Sequence, residues 1–199
     1  MAAFALMLFA VMFTVVFVAR TLVQKRRTGD SGIRAGSLRS ALGSAEWFAG
    51  WLLVVALVAA AAAPVAELAG LDPWYESVWV RGFGVGFAVV GIVLTFASQL
   101  SMGDEWRIGV DRAETTELVT QGAFRVVRNP IFSCVILTGV GLALMVPNSI
   151  SAIGIVVLVV AIELQVRCVE EPHLRELHGD AYTGYASQVG RLVPGLGRG

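Results

Sequence analysis

Two apolar runs, residues 130–146 and 150–167, stand back to back around the tripeptide Pro147-Asn148-Ser149. Each is only just long enough to cross the roughly 30 Å hydrocarbon core of a bilayer. Three residues between them leave room for a tight hairpin turn and nothing more. Arg125 and Arg128, before the hairpin, therefore emerge on the same side of a membrane as Arg167, Glu170 and Glu171 after it. Composition agrees with a membrane setting: 56% of the 199 residues are hydrophobic and 15% charged, against roughly 45–50% and about 25% in soluble domains. A spanning segment must satisfy its own backbone groups, so the expected fold class is all-α, a polytopic integral membrane protein. The formal net charge of zero points to no nucleic-acid partner.

Three further spans precede the hairpin, which makes five. Residues 1–19 are continuously apolar and are followed, not preceded, by the basic residues Arg20, Lys25, Arg26 and Arg27, counted with the first loop; this is the reverse of a secretory signal, so residues 2–23 read as a retained first helix. The Gly/Ser/Arg-rich loop 24–43 reads as mobile. Residues 44–68 form the second span, with Trp47 and Trp51 near one interface, an Ala-rich middle suited to close helix contact, and Pro64 as a kink near its end. Trp74, Tyr75 and Trp79 make an aromatic belt in the next turn. The third span, 80–100, carries Gly82, Gly84, Gly86 and Gly91. Small residues at such spacings serve helix packing; Gly91 also marks an expected entry path for a lipid. Of the 15 Lys and Arg residues only Arg81 falls on the far side from the two clusters. The excess of positive charge belongs in the cytoplasm, so the amino terminus is expected outside and the carboxyl terminus inside, with a bacterial cytoplasmic membrane as the expected location.

The charged clusters carry the chemistry. Glu163, Arg167, Glu170 and Glu171 fall on one face of the last span and its extension. Glu163 lies about a turn inside the apolar run, where a carboxylate costs roughly 2.5–3.5 kcal/mol on insertion scales, so it is expected to face the bundle and pair with Arg167. Pro172 suits the first turn of a new helix, which predicts a helix break that leaves Glu170 and Glu171 open to a ligand. Pro130 predicts a second helix start whose free amides, flanked by Arg125 and Arg128, suit an anionic group. Beyond Pro172, residues 173–178 read as a helix stopped by Gly179, and Asp180 as the cap of a last helix with Tyr182, Tyr185 and Val189 on one face. Cys134 and Cys168 read as small apolar fillers. His173 and His178 have no carboxylate or thiolate at metal-ligand spacing, so no metal site is expected.

The run from Glu117 to Phe132, Glu-Leu-Val-Thr-Gln-Gly-Ala-Phe-Arg-Val-Val-Arg-Asn-Pro-Ile-Phe, resembles the "LVT-G-Y-x-x-V-R-H-P-x-Y" signature of the isoprenylcysteine carboxyl methyltransferases and the related phospholipid methyltransferases. Glu170-Glu171-Pro172-His173-Leu174, the Tyr182/Tyr185 pair and Arg191 to Pro194 resemble that family's "EE-x-x-L", "G-x-x-Y-x-x-Y" and "R-x-x-P". Met102 to Val110 resembles the segment before the signature in bacterial members. The resemblance covers about half the chain. It implies a membrane-embedded methyltransferase that uses S-adenosylmethionine, with residues 1–199 as one membrane domain and 101–199 as its cofactor-binding region. It implies cofactor contacts from Leu118, Val119, Gly122, Phe124, Arg128, Asn129, Pro130, Phe132, Glu170, Glu171, Tyr182 and Tyr185. Glu163, Arg167 and Glu171 are the expected catalytic residues, and a lipid-like small molecule from the bilayer is the expected acceptor. Asn129 and Phe132 stand where the family usually has histidine and tyrosine, changes that bear on isoprenylcysteine as acceptor.

Which acceptor heteroatom is methylated stays open. A carboxylate needs no base; an amine or hydroxyl does, with Glu163, Glu171, Tyr182 and His173 as candidates. Two other functions also stay open. Sterol-type membrane reductases share the architecture at this end of the chain but bind a phosphorylated nicotinamide, which asks for more basic residues than Arg125, Arg128 and Arg167. A non-enzymatic lipid-binding protein would not need Glu170, Glu171 and Arg128 together. Nothing in the sequence sets an oligomeric state.

Overall fold

A computed structural model describes residues 1–33, 40–107 and 117–199. The first helix, α1 (Ala2–Thr28), is continuous but widens to a π-helix over Thr14–Ala19. It is followed by α2 (Ala45–Leu68), α3 (Val78–Ser101), α4 (Pro130–Met145), α5 (Ser149–His178) and α6 (Asp180–Gln188). Four of these, α1, α2, α3 and α5, are long and apolar enough to cross a membrane. The 16 residues of α4 rise about 24 Å, short of a full bilayer core. The chain is thus a polytopic helical bundle, and among the described residues no strand occurs.

Small residues set how closely the helices approach. A Cβ at Gly84 would lie 2.7 Å from the Gly141 carbonyl oxygen, and one at Gly91 would lie 2.8 Å from the Thr138 amide and 2.9 Å from the Cys134 carbonyl oxygen. Gly84, Ala88 and Gly91 therefore form the stripe on α3 against which α4 seats its own backbone, with van der Waals contact in place of the hydrophobic drive that lipid cancels. Gly82 and Gly86 face open space, so only one face of the glycine-rich span packs. On the other side of the bundle Gly154 of α5 meets the Cβ of Ala59 in the Ala-rich stretch of α2. This packing overturns the expectation that a lipid enters beside Gly91, because α4 occupies that face. Gly91→Leu is expected to destabilise the protein by at least about 1–3 kcal/mol through overpacking. Gly82→Ala should instead be neutral or gain up to about 1 kcal/mol of helix propensity. Thermal unfolding in detergent checks this, and equal losses at both positions would contradict it.

The caps follow local chemistry. Ser44 and Ser77 accept from the amides of Trp47 and Val80 at the starts of α2 and α3. Asn148 and Ser151 form a reciprocal capping box at α5, and Asn148 also donates to the Ala63 carbonyl of α2 at 3.1 Å. The Trp74 amide donates to the Pro147 carbonyl oxygen, so the turn after α2 and the hairpin turn share one end of the bundle. At the opposite end α1 reaches the segment after α3, and the start of α4 meets the carboxyl-terminal segment. Both charged clusters lie at this second end.

Several expectations change at that end. α1 runs on to Thr28, so residues 24–28 are helical and not loop. Arg20, counted with the loop cations, is fully buried. Arg34 and Arg39, and Ile108 to Val110 and Arg112 of the polar segment, lie outside the described residues. No helix break occurs at Pro172. Instead the chain widens to a π-helix over Gln165–Glu170 and continues as α-helix from Glu171. The wider turn relieves the missing proline amide and its clash with the carbonyl four residues back. Gly179, at φ +51°, separates α5 from α6, and Asp180 sits in the first turn of α6 without capping it. Val189 is extended, outside that helix.

Candidate active site

At the charged end the structure encloses a cavity with ≈ 940 Å³ of empty space, part of it open to solvent. Five stretches of chain wall it. Met102, Glu105 and Arg107 come from the segment after α3; Glu117, Leu118, Val119 and Phe124 from the segment before α4. Arg128 and Asn129 stand at the start of α4, Glu170, His173 and Leu174 on the last turns of α5, and Tyr182 and Tyr185 on α6.

One buried network holds three of these walls together. The Glu171 carboxylate, 4% exposed, accepts from Arg128 Nη2 at 2.8 Å, from Arg191 Nε at 2.6 Å and from Arg191 Nη2 at 3.0 Å. Arg128 also donates to the carbonyl oxygens of Ala186, Val189 and Gly197. A rigid guanidinium fork presents more N–H donors than an ammonium does, and in fixed planar directions, so it can serve these acceptors at once. The backbone joins in: the Arg128 and Asn129 amides donate to the Gly190 and Arg191 carbonyls, and Ser133 Oγ donates to the Leu192 carbonyl at 2.6 Å. Gly190 permits this turn, since a Cβ there would lie 2.8 Å from the Gly195 amide. Hydrogen bonds to Glu171 raise the Arg191 pKa further, so this pair stays charged.

Glu171 is therefore an anchor. The expectation of two carboxylates open to a ligand is corrected for Glu171, because without the helix break its side chain turns into the protein and is saturated by arginines. Glu170 does line the cavity, and among the described residues a 3.3 Å hydrogen bond from Gln165 Nε2 is the one that holds its side chain. Arg128 reaches the cavity wall, but four acceptors already occupy its Nη atoms, while its buried Nε has no hydrogen-bond partner among the described residues. Its expected place beside an anion at a free helix start is corrected accordingly: the amide of Asn129 goes to Arg191 and its side chain donates to the same carbonyl oxygen.

Of the expected cofactor contacts, Leu118, Val119, Phe124, Arg128, Asn129, Glu170, Tyr182 and Tyr185 line the cavity. Gly122 instead makes a turn at φ +58° against Ser101. Pro130 is buried in the first turn of α4, and Phe132 packs into the apolar cluster of Leu158, Ile162 and Val166. Glu163 and Arg167 form an ion pair on the outer surface of α5, with Arg167 58% exposed. Glu163, 33% exposed, pairs with Arg167 as expected, and neither residue lines the cavity. Its pairing with Arg167 one turn away, near the helix end, is what lets the carboxylate stand at the surface.

The tyrosines are fixed as neutral hydroxyls. Tyr185 donates to the Phe124 carbonyl at 2.6 Å, and burial pushes its pKa up to about 12. Burial, and then the Glu171 charge, raise the Tyr182 pKa as well. Neither is suited to act as a base near neutral pH, which removes Tyr182 from the base candidates. Met102, Glu105, Arg107, Glu117, His173 and Leu174 line the cavity beyond the expected set. His173 and Leu174 follow Glu170 by three and four residues, one helical turn, a periodicity the sequence already held.

Known proteins show the same region. Residues 79–181 match the family model described as phospholipid methyltransferase. Protein-S-isoprenylcysteine O-methyltransferase B of Arabidopsis thaliana is 29% identical over 132 residues, 65% of this chain and 67% of that protein. Protein-S-isoprenylcysteine O-methyltransferase A of the same plant is 30% identical over 118 residues, 58% of this chain and 60% of that protein.

Proposed function

Because the chain belongs to the phospholipid methyltransferase family, we propose that it moves a methyl group from S-adenosylmethionine to a lipid-like acceptor in the cavity at the charged end of the bundle. The observation that carries this is the convergence of four separated motifs on one cavity. Residues from the segment after α3, the signature before α4, the Glu-Glu turn of α5 and the tyrosine pair of α6 all line it.

The donor set fits the chemistry of that cofactor. Glu170, with Glu105 and Glu117, offers carboxylates to a ribose diol or an ammonium. Bound there, S-adenosylmethionine supplies a methyl group on a positively charged sulphur. What the protein adds is alignment and exclusion of water: Phe124, Leu118 and Leu174 make part of the wall apolar, and in-line positioning supplies much of the rate. If the acceptor is an amine or hydroxyl, its proton must leave, and His173 or Glu170 is in the cavity to receive it. The same walls fit a phosphorylated nicotinamide poorly, because Arg128 is committed to Glu171 and Arg107 pairs with Glu105.

The two plant relatives are named for O-methylation of isoprenylcysteine, and an isoprenoid carboxylate is one acceptor this reading admits; a phospholipid amine is another. We further place the cavity on the cytoplasmic side of a bacterial inner membrane, with the amino terminus outside, from the distribution of Lys and Arg. Purified protein in nanodiscs, incubated with methyl-labelled S-adenosylmethionine and a bacterial lipid extract, should label one lipid class identifiable by mass spectrometry. Label in no lipid, carboxylic or amine, would overturn the reading.

A further inference from the structure

We propose that Arg20 and Gln24, on the first helix, are positioning residues for the methyl-donor site: they hold the segment from Met102 to Arg107 in place as a wall of the cavity. This rests on the function proposed above and extends it to a part of the chain outside the stretch that matches the family model. Neither residue lines the cavity.

The two side chains are one helical turn apart on a single face of α1, and both are buried, Arg20 completely. Arg20 Nη2 donates to the Gly103 carbonyl at 2.6 Å, and Gln24 Nε2 donates to the Asp104 carbonyl at 2.7 Å. The Arg20 guanidinium also lies 4.6 Å from the centroid of the Trp106 ring, a cation–π contact that gains strength where water is excluded. From the other side Gly32, at φ +70°, comes so close to Trp106 that a Cβ would lie 2.9 Å from its carbonyl oxygen. Trp106, 2% exposed, is thus gripped from two sides. Its neighbours Met102, Glu105 and Arg107 face the cavity.

A buried cation is costly unless well paired. Here, among the described residues, Arg20 Nε and Nη1 have no hydrogen-bond partner, so Gly103 is the one hydrogen-bond acceptor the guanidinium uses. An apolar residue would fill the same space at lower cost. What the arginine adds is a directed hold on one short stretch of backbone, and Gln24 repeats it on the next residue.

The test is hydrogen–deuterium exchange with mass spectrometry on ligand-free protein in nanodiscs, joined to calorimetric titration with S-adenosylhomocysteine. Arg20→Gln should raise exchange over residues 102–107 at least tenfold, leave α3 and α4 at the wild-type rate, and weaken S-adenosylhomocysteine binding at least tenfold. Arg20→Lys, which keeps the charge, should recover part of both. Gln24→Leu, a milder change, should show the same selective rise and serves if Arg20→Gln does not fold. Unchanged exchange over 102–107, or a rise that is equal throughout α3 and α4, overturns the proposal. If wild-type protein does not bind S-adenosylhomocysteine, the donor reading fails, whereas the exchange experiment still decides whether Arg20 and Gln24 hold this wall.

Discussion

Arg128→Met is expected to destabilise the protein by about 3–5 kcal/mol, the usual consequence of removing one partner from a buried ion pair. The substitution leaves Glu171 buried with Arg191 as its one close partner among the described residues, since the nearest Arg175 nitrogen is 3.9 Å away and that side chain is half exposed. It also strips the Ala186, Val189 and Gly197 carbonyls of their donor. The segment from Gly190 onward should loosen first, because Arg128 ties it at both ends. Arg128→Lys should recover only part of the loss, since an ammonium cannot reach four acceptors in the plane of a guanidinium. Thermal unfolding in detergent reports the stability, and the rate of tryptic cleavage after Arg191 and Arg198 reports the release. A loss under about 1 kcal/mol, the range of an exposed ion pair, would mean that the network does not hold the fold.

Glu170→Gln should do the opposite: weaken S-adenosylhomocysteine binding at least tenfold, which is about 1.4 kcal/mol, and change ligand-free stability by no more than about 0.5 kcal/mol. The two neighbouring glutamates look alike in sequence and differ only in what surrounds them. Glu170 meets the cavity and one glutamine; Glu171 meets arginines. Glu171→Gln should therefore lower stability along with binding. Parallel titrations and melting curves of the two variants separate the roles. If Glu170→Gln binds as wild type does, the carboxylate is not part of the donor site.

Much of this was legible from residue pattern. The helices of the hairpin and its turn follow from two apolar runs and Pro147-Asn148-Ser149, and the close contacts at Gly84 and Gly91 follow from small residues in lipid-facing helices. Leu118, Phe124, Glu170, Tyr182 and Tyr185 could be named in advance because motifs carry them. What could not be read were contacts across long sequence distances. Nothing local distinguishes Glu171 from Glu170 until Arg128, 43 residues earlier, and Arg191, 20 residues later, fold onto it. Pro172 suggested a helix break because proline forbids an ordinary α-turn, but a π-turn meets the same constraint without breaking the helix. Arg20 read as a loop cation because hydropathy alone does not reveal that Gly103, 83 residues away, supplies its acceptor.

The central claim is that the cavity at the charged end receives S-adenosylmethionine. Calorimetric titration of the wild-type protein in nanodiscs with S-adenosylhomocysteine, and separately with reduced nicotinamide dinucleotide phosphate, tests it most directly. The account predicts saturable binding of S-adenosylhomocysteine, one molecule per chain, with an accompanying stabilisation of about 2.7 kcal/mol at a hundredfold excess over the dissociation constant, and no binding of the nicotinamide. Binding of the nicotinamide alone, or of neither compound to folded protein, would contradict it.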